Sequence, residues 1–493
     1  ALPIFKLVSF VGVTETVDSR IVNDLGKSPL MLNTIPSELD VAIIGAGSAG
    51  LPAFRAAREH TDRIALIERG PHGTTCARVG CMPSKLLIAA AEAAHGMEKA
   101  PGFGVHPGTV RIDGEAVMER VRRERDRFVG FVLDGVEQID PKHRVSGQAS
   151  FLEDSVLEIE SAQIHVQRVV IASGTSPLIP DFLKGVRDRV VVNDDVFEWK
   201  TLPQSVAVFG AGVIALELGQ ALHRLGVRVR LFGRSLRTGP ITDPAVLQNA
   251  EQVFSTDFPF CAPVMVENVE ATENGVKVCF RKDANSAPEE EEFEQILAAT
   301  GRTPNLTELE LGKTSVELDH HGIPIFNPLT MQCGNSPVFI AGDVNNTLTV
   351  LHEAADEGKL AGDNAGRYPE IREGQRRSPM TIVFTDPQLA VVGQSWRELQ
   401  DRNLVTGRVS FEGQGRSRVM LQNRGCLHLY AERGSGRLLG MEAIGPRVEH
   451  LAHLLAWSHQ QQMTIHQMLS MTFYHPVIEE GLRTALRCAR DQL

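Results

Sequence analysis

Short apolar runs alternate with amphipathic stretches along most of this chain, in the order expected of repeated strand–helix–strand units. Asp40–Ile44 reads as a buried parallel strand, the stretch through Arg58 as a helix, and Arg63 to Ile67 as a second strand. The same order returns at Ser205–Phe209, in a helix to about Leu225, and in a strand from Val227 to Phe232. Between the two units, Ala89 to Ala94 is a strong helix former, and Glu115 to Phe131 is charged and periodic, predicting a solvated helix. Alternating apolar residues from Ser150 to Val170 predict short strands. Val276 to Arg281 and Glu292 to Ala298 predict two more around the acidic run 288–292, which is expected to be an exposed loop. A helix is expected from about Leu351. Strands at Thr381 to Phe384, Gly425 to Ala431 and Leu438 to Ile444 mix with helices in an α+β arrangement.

Each strand–helix unit carries a glycine-rich turn. After the first strand comes Gly45-Ala46-Gly47-Ser48-Ala49-Gly50, and the second strand ends at Glu68, 23 residues after Gly45. Glycines here permit a tight turn and close approach of a pyrophosphate to a helix N-terminus, and the acid can accept from a ribose hydroxyl. The second turn holds Gly210 and Gly212, with Ala215 at the third small position and Glu217 in the helix. Its following strand ends in Gly233-Arg234, without an acid. Arg234 with Arg237 could meet a 2′-phosphate, or the two could form a solvated turn.

Just past the first unit, Thr75-Cys76-Ala77-Arg78-Val79-Gly80-Cys81-Met82-Pro83-Ser84-Lys85 places two cysteines with four residues between them. The spacing suggests one helical turn carrying a redox disulfide; buried thiols or half a zinc site are the alternatives. His72 is near, but no second ligand pair follows, so no metal is expected. The other five of the seven cysteines stand singly, the usage of a reduced intracellular protein.

These segments occur in the order of the flavin-dependent pyridine nucleotide–disulfide oxidoreductases, which the chain resembles from about Asp40 to Arg487. Three later segments join them: Ile171-Ala172-Ser173-Gly174-Thr175-Ser176-Pro177, Ala299-Thr300-Gly301-Arg302-Thr303-Pro304-Asn305 and Phe339-Ile340-Ala341-Gly342-Asp343-Val344. A fourth, Phe473-Tyr474-His475-Pro476-Val477-Ile478-Glu479-Glu480, resembles the family's C-terminal His-Pro segment. The resemblance implies FAD on Gly45, Gly47, Gly50, Glu68, Ser173, Gly174 and Asp343. It implies a nicotinamide nucleotide, NAD with NADP possible, on the turn of Gly210, Gly212, Glu217 and Arg234, which Gly301 closes. Cys76 becomes the outer, interchange sulfur and Cys81 the inner one, with Lys85 near the flavin. The backbone at His352 would face the flavin ring. His475 would be the acid–base group, oriented by Glu480, with Glu479 the alternative, and would reach the disulfide of the other subunit of a homodimer. The departures are Thr74 for a usual Gly, Arg78 for a usual Asn, and Val477 for a usual Thr. Arg78 would either lower a thiol pKa or point to solvent.

The expected fold is therefore α/β, with two Rossmann-like dinucleotide-binding domains and a C-terminal α+β dimerisation domain. The expected boundaries are an N-terminal extension over 1–35, an FAD-binding domain with the redox pair over 36–180, an NAD(P)-binding domain over 181–300, a return segment over 301–377 and an interface domain over 378–493. Within the family the expectation is dihydrolipoamide oxidation, with free dihydrolipoamide or a lipoyl domain as the partner. The alternatives are an NADPH-dependent disulfide reductase and a redox sensor without turnover. A length of 493 residues suits about three domains, and a net charge of −11 argues against a nucleic-acid partner. No apolar run is long enough for a membrane span, no secretory signal is evident, and Met31 is a plausible start, so a cytoplasmic location is expected.

Overall fold

A computed structural model describes residues 36–234 and 238–493. Met31 and Arg237 lie outside the described residues. In the first domain β1 (Glu38–Ile44), α1 (Gly50–Arg58) and β2 (Ile64–Glu68) form the unit read from the sequence. The cysteines follow in α2 (Thr75–Val79) and α3 (Cys81–Lys99), then α4 (Gly114–Glu137). Strands β3 (Arg144–Ser146), β4 (Ala149–Glu153), β5 (Val156–Ile159) and β6 (Ala162–Ile171) complete the domain, and β7 (Thr175–Pro177) leads out of it.

The second domain contains β8 (Val190–Val191), α5 (Asn193–Val196), β9 (Ser205–Phe209), α6 (Val213–Arg224), β10 (Arg228–Phe232), α7 (Pro244–Asp257) and β11 (Phe260–Cys261). It continues through β12 (Met265–Ala271), β13 (Val276–Arg281), β14 (Glu289–Phe293) and β15 (Gln295–Ala298). The chain leaves by β16 (Arg302–Pro304), which pairs antiparallel with β7, so the domain hangs on a two-stranded junction. It then re-enters the first domain through β17 (Val338–Ile340) and α8 (Leu351–Arg367).

The first sheet has seven strands in the order β3-β2-β1-β6-β5-β4, with β17 pairing β6 in parallel. The second sheet runs β11-β10-β9-β15-β8, all parallel. In both sheets the glycine-rich turn follows the strand beside the point where strand order reverses, β1 against β6 and β9 against β15, the place where such sheets open a crevice for a ligand. The third domain builds an antiparallel sheet from β18 (Met380–Val383), β19 (Gln388–Gly393), β20 (Leu404–Ser410), β21 (Cys426–Glu432) and β22 (Leu438–Gly445), in the order β18-β19-β22-β21-β20. Two helices that matter below are α9 (Val448–Gln460) and α10 (Glu480–Arg490).

A buried polar cluster fastens the second domain to the third. Asp243 caps α7, its Oδ1 accepting from Ala245 N at 2.8 Å, and its Oδ2 lies 2.8 Å from His428 Nδ1 and accepts from Tyr430 Oη at 2.9 Å. Glu442, fully buried, accepts from the backbone N–H groups of Thr242, Asp243 and Trp396. Buried charge is tolerated here because every carboxylate oxygen is hydrogen-bonded.

Three local expectations are corrected. The acidic run 288–292, read as a loop, is largely strand β14, which pairs antiparallel with β13. Its charges are compensated across the sheets, for Glu291 pairs with both Arg228 and Arg230. The helix at Glu115–Phe131 is not solvated all round, since Met118, Val121 and Val129 of α4 are buried. Finally, the two cysteines do not share one helical turn. They sit on two helices that break at Gly80, which caps α3 with φ −126° and ψ −116°.

Candidate redox site

The first glycine-rich turn is shaped as a dinucleotide turn requires. Gly45 has φ +105°, and a Cβ there would stand 2.3 Å from the Ala172 carbonyl oxygen. A Cβ on Gly50 would stand 1.7 Å from the Gly45 oxygen, so helix α1 can pack on the turn only without a side chain. Gly47, by contrast, faces open space, the side from which a pyrophosphate would approach. Glu68 closes the turn, its Oε2 accepting from Ala46 N at 2.7 Å and its Oε1 from Gly70 N at 2.9 Å. These features fit FAD. Gly210, at φ +124°, and the open Gly212 repeat the geometry for a second nucleotide.

The return segments join these sites. Ser173 Oγ donates to Asn305 O at 2.8 Å and Asn305 Nδ2 donates to Ser173 O at 2.9 Å, beside Gly174 and close to Gly301 at the β7–β16 junction. Asp343 follows β17, and burial raises its carboxyl pKa, against the opposing charge of Arg302. The turn that carries it is held by Glu357, a residue sequence reasoning missed. Glu357 Oε2 accepts from Gly342 N at 2.8 Å and Asn345 Nδ2 at 2.7 Å, and Arg376 spans the buried Glu353 and Glu357 at 2.6 and 2.7 Å. The signal available was two acids four residues apart on one predicted helix face. His352 is half-buried in α8.

Cys76 and Cys81 are both thiols, hydrogen-bonded to one another. That bond separates them electrically. The hydrogen bond from Cys76 lowers the Cys81 pKa to about 7, Lys85 adding to the effect against the cost of burial. The same bond, together with burial, pushes the Cys76 thiol up. Cys81 is also the more exposed residue of the two. Thr74 caps α2 through its side chain while holding φ +59°, ψ +148°, a conformation β-branched residues rarely adopt. Arg78 is partly buried. Its charge acts on Asp194, at the start of α5.

Lys85 projects from α3 to Glu217 on α6, with Nζ–Oε distances of 3.0 and 2.7 Å. Glu217 is only 5% exposed and also accepts from Phe384 N at 2.9 Å. It therefore faces the redox helix and not the open side of the second glycine turn. Arg234 is exposed beyond β10. Gly233 before it is closely packed, for a Cβ there would lie 2.6 Å from the Ala262 Cβ.

In the third domain His475 precedes a cis Pro476 and places Nδ1 2.9 Å from Glu480 Oε2, and Arg483 donates to the other oxygen of Glu480 at 2.9 Å. Glu480, not Glu479, is the carboxylate bonded to His475. The His475 side chain is 80% exposed, so its free ring edge is available to another chain. Tyr474, Met471, Leu454 and Trp457 are exposed on the same domain.

Comparison with known proteins adds the lineage. Residues 39–358 match the profile described as pyridine nucleotide-disulphide oxidoreductase, and residues 379–486 match the dimerisation domain that accompanies it. The mercuric reductase of Shigella flexneri is 30% identical over 91% of this chain and 80% of its own length. The dihydrolipoyl dehydrogenase of Bacillus subtilis is 27% identical over 91% of this chain and 98% of its own. Among solved structures, LpdA from Mycobacterium tuberculosis superposes with a TM-score of 0.77 at 19% identity, covering 92% of this chain and 99% of that one. The HOCl-induced flavoprotein disulfide reductase RclA from Escherichia coli superposes with a TM-score of 0.75 at 19% identity, covering 92% and 100%. These two likenesses support the fold. Among the described residues no helix is long and apolar enough to cross a membrane, and no group of three or more His, Cys, Asp or Glu residues could hold a metal ion.

Proposed function

The chain belongs to the pyridine nucleotide-disulphide oxidoreductase family, and we propose that it oxidises a dithiol through Cys76 and Cys81, with dihydrolipoamide as the substrate and NAD+ as the final acceptor. The observation that carries this reading is the placement of the two thiols on helices that part at Gly80, with Lys85 on the helix that begins at Cys81 and an exposed His475–Glu480 pair in the third domain. A pair in which one member is held as donor and the other has a pKa of about 7 is arranged for thiol–disulfide exchange, because the thiolate is the reactive form.

In the oxidised protein the two sulfurs are bonded. A substrate thiolate attacks the Cys76 sulfur, the Cys76–Cys81 bond breaks, and Cys81 leaves as a thiolate supported by Lys85. His475 of the partner subunit takes the substrate proton at Nε2, while Glu480 holds its Nδ1. The second substrate thiol then attacks the mixed disulfide. Oxidised substrate leaves, and Cys76 departs as a thiol. The first glycine turn, Glu68 and Asp343 would hold FAD, which when bound would supply a two-electron carrier between this dithiol and a nicotinamide nucleotide on the second turn. The dimerisation-domain match supports the homodimer that such a shared site needs.

A second reading has its own support. Gly233 has no room for an acid, and the exposed Arg234 beside it suits a 2′-phosphate, which favours an NADPH-dependent disulfide reductase. Reduction of a metal ion, as the names of the mercuric reductases suggest, has weaker support. The five cysteines outside the redox pair stand singly in the sequence, and Cys333 is buried.

The test is an anaerobic titration of FAD-loaded protein with dihydrolipoamide, followed by NAD+ or NADP+ and read by absorbance. Bleaching of the oxidised flavin and formation of reduced nicotinamide support dithiol oxidation and name the coenzyme. If dihydrolipoamide leaves the flavin oxidised while NADPH reduces it, the disulfide-reductase reading replaces it. NADPH oxidation that depends on mercuric ion would favour metal reduction.

A further inference from the structure

The break between α2 and α3 leaves the Val79 carbonyl outside any helix ladder, in the turn between the two cysteines. Its partner comes from the other domain. Asn193, the buried first residue of α5, donates from Nδ2 to Val79 O at 2.8 Å and to its neighbour's Asp194 Oδ1 at 2.9 Å. Both amide hydrogens are thus committed. Asn193 Oδ1 accepts from Arg302 Nη1 at 3.4 Å, and Arg302 donates from Nε and Nη2 to Thr175 Oγ1 and O, each at 2.8 Å. Arg302 and Thr175 are the first residues of β16 and β7, the two strands of the junction on which the second domain hangs. The charge of Arg78, between the cysteines, falls on Asp194 beside Asn193. The redox turn is therefore gripped from outside its own domain, at a carbonyl left free where α2 ends.

We infer that Asn193 is a positioning residue that ties the Cys76–Cys81 turn to the interdomain junction and thereby sets the thiol–disulfide equilibrium of the pair. A disulfide needs its two β-carbons within a narrow range of separation and orientation, whereas two thiols do not. Holding the turn at Val79 limits how far the two β-carbons can separate and so favours the oxidised form. Without the amide the buried carbonyl loses its donor, the turn relaxes, and the dithiol gains.

This inference rests on the reading of Cys76 and Cys81 as the redox couple. FAD-loaded wild-type protein, Asn193→Ala and Asn193→Ser are equilibrated in glutathione buffers of varied ratio, then quenched with acid and alkylated. In that equilibrium two glutathione thiols reduce the protein disulfide to two thiols and leave as one glutathione disulfide, so no other reductant is needed. The expected result is that Asn193→Ala shifts the equilibrium toward dithiol by about fivefold or more, the size expected for stranding a buried carbonyl. Asn193→Ser, which keeps a donor hydroxyl, should shift it less. A wild-type pair that does not titrate reversibly would overturn the redox reading itself. A wild-type pair that titrates, with both variants or the foldable one at the wild-type midpoint, would overturn only the role of Asn193.

Discussion

Lys85 and Glu217 lie 132 residues apart in the sequence and meet at 2.7 Å, joining the helix that carries Cys81 to the helix behind the second nucleotide turn. The carboxylate is nearly buried and the ammonium about one-third exposed. Removing the cation strands a buried anion, whereas neutralising the anion does not. Lys85→Met is therefore expected to destabilise by about 3 kcal/mol and Glu217→Gln by about 1 kcal/mol, measured by denaturant unfolding. Equal losses in the two variants would show that the pair is not buried as described.

The thiol asymmetry predicts a pH profile. In the reduced protein, Cys81 should be alkylated by iodoacetamide with a midpoint near pH about 7, the rate rising with pH as the thiolate forms. Cys76, whose pKa is raised, should stay protonated and slow across the same window. Because the largest cause of the Cys81 shift is the hydrogen bond from Cys76, Cys76→Ala should move the Cys81 midpoint upward. Lys85→Met should move it the same way by a smaller amount. A midpoint that stays put in Cys76→Ala would remove the basis for assigning the thiolate to Cys81.

Thr74 carries two opposed effects. Its positive φ is strained by roughly 1–3 kcal/mol. Its hydroxyl accepts from Ala77 N at 3.3 Å, a cap that Gly replaces at a loss of only a few tenths. Glycine also adds freedom to the unfolded chain, at about 0.5–1 kcal/mol. Strain relief is the larger effect, so Thr74→Gly should stabilise the protein by about 1 kcal/mol in chemical denaturation. A loss of stability would mean that the cap outweighs the strain.

Coenzyme choice should depend on Arg234 and not on an acid at position 233. Arg234→Ala is expected to raise the KM for NADPH about tenfold, the value of one charge-assisted hydrogen bond, with little change for NADH. Gly233→Glu should lower stability before it changes preference, because its Cβ would stand 2.6 Å from that of Ala262. Steady-state kinetics with both coenzymes checks the pair. An unchanged NADPH KM in Arg234→Ala would remove the support for the NADPH reading and leave NAD+ as the acceptor.

What the sequence made legible was local or periodic. The two strand–turn–helix units, the strands between Ala149 and Ile171 and the helix at Leu351 all lie within a residue or two of where hydrophobic spacing puts them. The His475–Glu480 pair was legible because its five-residue spacing is local. The break at Gly80 was hidden, since Cys76 to Lys85 reads as continuous helix and only Gly80 signals otherwise. Strand β14 was hidden because four of its five residues are glutamates, and its compensation by Arg228 and Arg230 is a long-range contact. Glu357 offered only its spacing from Glu353, and Asn193 was invisible for the same reason. Their partners lie 12 to 114 residues away, and neither residue type announces such a role.

The central claim is that Cys76 and Cys81 carry the electrons, and one trapping experiment tests it directly. FAD-loaded protein is reduced anaerobically with NADPH or NADH, quenched with iodoacetamide under denaturing conditions, and its cysteines are mapped by peptide mass spectrometry against an unreduced control. The account predicts that labelling increases at Cys76 and Cys81 together and at no other cysteine. A flavin that is reduced while neither Cys76 nor Cys81 gains label would contradict it.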